Sequence, residues 1–463
     1  MKQATNLGLT SSLAHYASKI SLSHVPEMVK QQAKLCILDT IGVSVAGIRD
    51  ESIRPVVEVE LERGARHDAT VVGIGKLFSI EGAARVNAYA GDIFELNDLV
   101  SGHSSIGVVW GTLPVAEALG STGRELLEAV IVGTEVTSRV YSAYYPTMKP
   151  YTEVGIVPPG FVNSYGVAAA VAKLLRLSEQ QTREAMSISG ALAGWCPAEV
   201  IFGQGGTVKP MLFGASPAIT GIMGAQYAEK GMTGPPFLLE GEKGFYATAA
   251  KRFEKEVILD EETWYLAEPR RKLHACCGYI HSVLNEAITL RQSGAPLDEV
   301  AEIIVGLPEY IIPAVSKVSP PTTPNDARFH LQYMLALAIY GVDAITPEHS
   351  LQFHTYWEDP VIQEIYEKIK VIAVPELKHY YECRLTFLDE NGEIMFQREG
   401  KGPKGSPQNP MSDEEVRSKF RNLVAYKLEP KRMNEYLSKV DKLEGAKDIR
   451  WLVDSFHSEV PIY

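Results

Sequence analysis

The sequence holds only five cysteines in 463 residues, an odd number that cannot pair completely. A dense disulfide framework is therefore excluded as the source of stability. No apolar run reaches the roughly 18–20 residues that span a bilayer, so no membrane association is expected. Basic excess is missing as well: the formal net charge is -12. Nucleic-acid binding normally needs a basic face to displace counterions from phosphates, so it is not expected either. The opening MKQATNLGLTSSLAHYASKI carries one early lysine and no continuous apolar core, which makes it a poor signal peptide and a cytoplasmic location the expectation. Solenoid-length repeats, heptad arrays and low-complexity tracts are absent. What is present is ordinary for a globular protein, with 45% hydrophobic and 22% charged residues. The chain is too long for one compact core, so two domains are expected. An acidic chain can still gather Lys, Arg and His locally around a small anion.

Residues 1–268 read as mostly helical. VPEMVKQQAKLCILDTIGVSVAG has helically spaced apolar residues, with Ser23 as a cap and Gly47 as a stop. In TGRELLEAVIVGTEVTSRV, Thr122 is placed to cap with Glu125. GVAAAVAKLLRLSEQQTREAMSISGALAGW reads as a helix pair whose small residues permit close packing. The pattern changes after about residue 270. AEIIVGLPEYI, IKVIAVPEL, YYECRLTFL and EIMFQREG read as strands, the last two joined at Asp389, Glu390, Asn391 and Gly392. PNDARFHLQYMLALAIYG reads as a helix between them, and Ser412 opens a capped helix after a Pro/Gly-rich break. The expected fold is mainly α. A large all-α domain (1–268 and 402–463) carries an inserted, smaller α+β lid domain (269–401), and ligands favour the cleft between such parts.

KLHACCGYIHSVLNEAI, from Lys272 to Ile288, concentrates chemistry. His274, Cys276, Cys277 and His281 could be metal ligands, but adjacent cysteines point apart and no second ligand pair stands at zinc spacing. A nucleophilic cysteine would need a His–Asn or His–Asp partner pattern, which is missing. His281 falls in the first turn of an apolar-striped helix, where the dipole disfavours imidazolium and keeps a neutral base available. A merely packed or capping histidine fits the same pattern.

GQGGTVKPMLFG fails as a phosphate loop, because Lys209 follows Val208 and no Ser or Thr comes after it. GIGKLF fails as a dinucleotide loop at Phe78. Lys209 after a glycine turn is suited to a substrate carboxylate or a developing enolate, and equally to an ordinary loop. ELNDLVSGHSSIG sets Glu95 and Asp98 before His103, a carboxylate–imidazole grouping suited to proton transfer or to capping the next helix. Arg328 is suited to bidentate carboxylate binding, and Tyr333 to proton donation or to core packing.

These motifs, in this order, resemble the MmgE/PrpD family of 2-methylcitrate dehydratases, cis-aconitate decarboxylases and iminodisuccinate epimerases. AKLCILDTIGVSVAG is similar to its early helix and HSSIGVVWGTLPVAEALG to its HPS segment. GGTVKPMLFGASPAITGIMGAQYAEKGMTGPPFLLEGEKGFY is similar to its most distinctive stretch. KLHACCGYIHS and GSPQNPMSDEEVRSKF match the small-domain entry and the final linker and helix.

The resemblance implies an enzyme: a lyase of dehydratase or decarboxylase type acting on a small di- or tricarboxylate, or alternatively an isomerase. It further implies a homodimer with no organic cofactor; no metal is expected either, from the ligand spacing considered above. Lys209, His281, His103 and Tyr333 fall on family site positions, with Asp98 as partner of His103. Arg328, Glu95 and Tyr151 are the expected substrate contacts. Three departures stand out. Asn97 replaces an acid in FELND, and Val157 and Leu212 occupy positions that are histidine in the dehydratases and decarboxylases. Tyr144, Tyr145 and Tyr151 lie just upstream of Val157 and are candidates to substitute for the missing imidazoles.

Overall fold

The computed structural model describes residues 8–63, 68–98, 100–202 and 206–457. Gly203 and Gly205 of the turn before Lys209, and Leu99 ahead of His103, lie outside them. The fold is mainly α. Its centre is the helix Pro159–Leu174, whose Ala/Gly-rich sequence is buried almost all round. Helices Gly123–Ser142, Glu179–Leu192 and Ser216–Glu229 pack against it.

Small residues set these crossings. A Cβ on Gly166 would lie 1.9 Å from Thr137 Oγ1 and 2.3 Å from the Gly133 carbonyl. Gly166→Ala is therefore expected to destabilise by about 1–3 kcal/mol through overpacking, despite alanine's higher helix propensity. The midpoint of a denaturant unfolding curve would show it.

The helix Glu27–Gly47 is sandwiched between Ile80–Ile93 and the late helix Asp413–Val424. Gly47 leaves room for the Ala90 carbonyl, and Gly42 for the Phe420 ring. Lys419 Nζ reaches Asp39 at 2.8 Å and the Leu96 carbonyl at 2.7 Å. The chain's last helices thus return to its first ones. Reciprocal capping boxes open three helices, at Thr122 with Glu125, Ser178 with Gln181 and Ser412 with Glu415. Ser23 caps nothing. The helix starts after Pro26, whose fixed φ is already suited to a helix start.

A four-stranded sheet runs in the order Ile369–Ala373, Glu302–Leu307, Cys383–Leu388, Ile394–Gly400. The first pair is parallel (Ile303 opposite Ile369), so a crossover separates them in sequence; the others are antiparallel. Cys383–Leu388 alternates buried and half-buried residues, and helix His281–Gln292 covers that strand and its hairpin partner. At the hairpin, Gly392 takes φ +78° and the Asp389 side chain accepts from the Asn391 and Glu393 amides.

PNDARFHLQYMLALAIYG is not one helix but two, Pro324–Arg328 and Leu331–Tyr340. His330 leaves helical geometry, and its ring accepts the Tyr333 amide at 3.4 Å to cap the second. Among the described residues no helix is long and apolar enough to cross a membrane.

Candidate active site

The helix Ile80–Ile93 ends in Asp92, and the chain then bends sharply. Glu95, Ser101, Gly102 and His103 all take positive φ, at 53°, 46°, 73° and 67°. Three of the four are not glycine, and such residues cost of order 1–3 kcal/mol each and persist only where the surroundings hold them. Here Asn163 holds the bend, its amide reaching the Gly102 carbonyl at 3.3 Å and that of His103 at 3.4 Å. The bend turns Glu95 and His103 toward Lys209, which follows the short turn Gly206–Val208. Lys209 precedes a π-helical turn, Met211–Ala215, a geometry frequent at functional sites.

These side chains form one buried ionic cluster. Lys209 Nζ lies 2.8 Å from Asp92 Oδ2 and also hydrogen-bonds Glu95 Oε1. Glu95 Oε2 accepts from Lys272 Nζ at 2.7 Å. Two carboxylates thus meet two ammonium groups, as buried charge requires. His103 Nδ1 lies 3.3 Å from Asp92 Oδ1 and 2.8 Å from the Asn97 amide. Asp92, Glu95 and His103 place ligand atoms within 4.8 Å of one another, a spacing that suits a metal ion. The Lys209 ammonium bonds two of the three, so the lysine supplies the cation there. Phe213 closes the cluster, 4.6 Å beneath the ammonium and edge-on to the imidazole at 5.4 Å.

Burial lowers the Lys209 pKa, against the pull of Asp92, to about 8. Burial, reinforced by Lys272, holds His103 below the usual imidazole range, so it is neutral at pH 7. Asp92, despite burial, is held below its usual value by Lys209 and His103. The site therefore pairs a neutral base with a cation able to lose its proton near neutral pH.

The cluster faces a cavity of about 470 Å³. Lys209, Glu95 and His103 line it from the helical body, and Gly278, Tyr279 and Tyr310 line it from the sheet-bearing part.

The family model for the MmgE/PrpD N-terminal domain matches residues 11–258, and that for its C-terminal domain residues 274–443. This chain belongs to the MmgE/PrpD family. Cis-aconitate decarboxylase of Mus musculus is 24% identical to it over 463 residues, covering 95% of this chain and 91% of its own. The Aspergillus terreus cis-aconitate decarboxylase is 25% identical over 491 residues, covering 98% and 96%. The Homo sapiens enzyme of that name is 24% identical over 462 residues, covering 95% and 92%.

The other expected site residues of this MmgE/PrpD chain divide. Tyr151 lines the cavity with Tyr145, while Tyr144 is buried behind the wall. Val157 lines the cavity too, and Leu212 packs against the core. His281 stands apart. It begins its helix as expected, but Nε2 donates to the Cys276 carbonyl at 3.2 Å, and the ring lines a small adjoining pocket with Arg270 and Gly278. Its pKa is pushed well down, through burial and the neighbouring His274 and Lys272.

Asp98 faces away from the cavity, accepting from Ser105 and, at 3.2 Å, from the Cys36 thiol. Arg328 spends its guanidinium on Asp50, on the Ile93 carbonyl at 3.0 Å and on the Ser350 hydroxyl at 3.0 Å. Tyr333 donates to the His349 carbonyl at 2.8 Å inside the core. The geometry gives Asp98, Arg328 and Tyr333 no place at the cavity, because each polar group already has a buried partner. Among the described residues, the His and Cys donors of KLHACCGYIHS form no convergent set of three. Burial raises both Cys276 and Cys277 thiols, which disfavours the thiolate.

Sequence reasoning missed Asp92, Lys272 and Arg270. Asp92, Glu95 and Asp98 recur at every third residue, a signal that was present. Lys272 opens KLHACCGYIHS, where its His and Cys neighbours carry the more conspicuous chemistry.

Proposed function

We propose that this chain is a lyase that acts on a small carboxylate by removing a proton alpha to the carboxylate, using its own side chains as proton carriers. The observation that carries the reading is the buried Asp92–His103 and Asp92–Lys209–Glu95 arrangement at the cavity wall. We assign the Nδ1–H tautomer to His103, with that proton directed at Asp92 and the Asn97 amide turned to present its otherwise unpartnered Oδ1 to the ring, which leaves the Nε2 lone pair as base. Lys209 then stabilises the charge that develops at the reacting carbons and returns a proton to the carbanion or to the leaving hydroxide. The relatives named above, cis-aconitate decarboxylases, support a lyase. His281 is proposed as a positioning residue, fixing Cys276 and the turn that carries Gly278 and Tyr279 to the cavity.

An isomerase is the second reading, because His103 is the one imidazole lining the cavity among the described residues. Epimerisation needs proton removal and return but no leaving group. Proton NMR in heavy water with a panel of carboxylic acids separates the two. Loss of water is expected; loss of carbon dioxide would keep the lyase and remove the alpha-proton step, alpha-proton exchange alone would establish the isomerase, and no change with any acid would overturn both.

The pH dependence follows from the cluster. Turnover is expected to fall on the alkaline side of neutrality as Lys209 loses its proton, its pKa lowered by burial and held up against that by the Asp92 and Glu95 carboxylates. The acid limb should lie below the ordinary imidazole range, because His103 is protonated only there. Lys209→Arg, which keeps the charge but cannot return the proton, should lower turnover and leave the residual rate without the alkaline limb, which a pH–rate profile of the two proteins would show.

A further inference from the structure

The cavity is poor in net positive charge and rich in phenols. Two cationic side chains line it, Lys209 and Arg270, alongside Glu95 and the rim residue Glu268. Lys209 is already bonded to both Asp92 and Glu95, and Lys272 is buried behind Glu95. Counted together, the ionic cluster and the cavity rim carry no net positive charge. Arg270 is different. Its guanidinium donates to the Tyr380 hydroxyl at 3.0 Å and lies 6.0 Å from the Tyr381 ring. Among the described residues no carboxylate lies within ion-pairing distance of it.

Much of the remaining wall is aromatic. Tyrosines 141, 145, 151, 279, 310 and 380 line the cavity, with Trp264 and Phe329. Tyr141 and Tyr145 stack at 4.8 Å between ring centroids. Burial pushes the phenols of Tyr141, Tyr145 and Tyr279 well above their usual pKa, so they offer hydrogen bonds but no charge. The volume of about 470 Å³ falls in the range of roughly 300–1,000 Å³ that encloses drug-sized ligands, well beyond a compact polycarboxylate.

A tricarboxylate would bring three negative charges to one unpaired guanidinium and to Lys209, whose charge Asp92 and Glu95 already share, and would bury the remainder against rings that supply no counter-charge. An acid with one carboxylate and an apolar body would instead match one guanidinium and a ring-lined wall.

We infer that the substrate is a monocarboxylate bearing an aryl-sized apolar group, its carboxylate seated on Arg270 and its ring against the tyrosine wall. This rests on the lyase reading for its chemistry, though not for its binding. For a 3-hydroxy acid of this class, His103 takes the alpha proton and the alpha carbon–hydrogen electrons form the carbon–carbon double bond. The carbon–oxygen bond breaks, and the hydroxide leaves as water with a proton from Lys209.

Binding and turnover test the two parts separately. Tryptophan fluorescence of the full chain, titrated with cinnamate and with cis-aconitate, should show cinnamate binding at least ten-fold tighter. Arg270→Met should weaken cinnamate at least ten-fold, with unchanged circular dichroism as the check on folding. Equal or tighter binding of cis-aconitate, or indifference of cinnamate to Arg270→Met, would overturn the inference. Turnover of 3-hydroxy-3-phenylpropanoate to cinnamate supports both parts. Tight cinnamate binding without turnover of any acid supports the substrate class and overturns the lyase reading. Turnover of citrate-like acids with weak cinnamate binding does the reverse.

Discussion

His103→Ala is expected to lower kcat by about 10²–10⁴-fold, the usual contribution of a positioned proton-transfer group. The assay acid is whichever member of the heavy-water panel the wild-type chain converts. The imidazole is neutral, backed by Asp92 at 3.3 Å and presented by a left-handed residue at the start of helix Ser104–Leu119. Nothing else among the described cavity residues offers an uncharged nitrogen base. His281→Ala is the instructive comparison. Its ring bonds the Cys276 carbonyl outside the cavity, so its loss should act on both KM and kcat by loosening the turn, without moving the pH limbs. Full turnover by the folded His103→Ala protein would remove His103 from the chemistry.

Glu95→Ala carries the second large effect, on stability. Its carboxylate bridges Lys209 and Lys272, and all three residues are almost entirely excluded from water. Removing one partner of a buried pair leaves uncompensated charge and costs about 3–5 kcal/mol. A loss of that size should appear as a lower midpoint in urea unfolding. The double variant Glu95→Ala with Lys272→Met should recover part of it, since the charge left without a partner is removed as well. A Glu95→Ala protein within 1 kcal/mol of wild type, or no recovery in the double variant, would mean that the bridge contributes no net stability.

Local rules were readable and long-range pairing was not. The capping boxes at Thr122 and Ser412 and the Asp389–Gly392 hairpin depend on residues a few positions apart, so the sequence pattern contains their causes. The break at His330 was hidden, because LQYMLALAIYG continues an apolar helical pattern across it and only the ring's bond to Tyr333 marks the restart. In the sequence Arg328 reads as free for a ligand. Its partners Asp50 and Ile93 stand 278 and 235 residues away, and no spacing rule reports them. Lys272 meets Glu95 across 177 residues for the same reason. Lys209, Glu95 and His103 were singled out because they stand beside glycine turns or clustered acids. Their convergence depends on the bend after Asp92, whose left-handed residues follow no composition signal.

The seating of Asp413–Val424 on Glu27–Gly47 has a consequence for biosynthesis. On the ribosome, the first of these helices emerges long before its cover is translated. At roughly 5–20 residues per second the wait is on the order of tens of seconds. Throughout it, the hollow at Gly42 that receives Phe420, and the Asp39 carboxylate that receives Lys419, stand open. Asp39 is then open to water rather than sealed in, so its pairing with Lys419 belongs to the last steps that close this face.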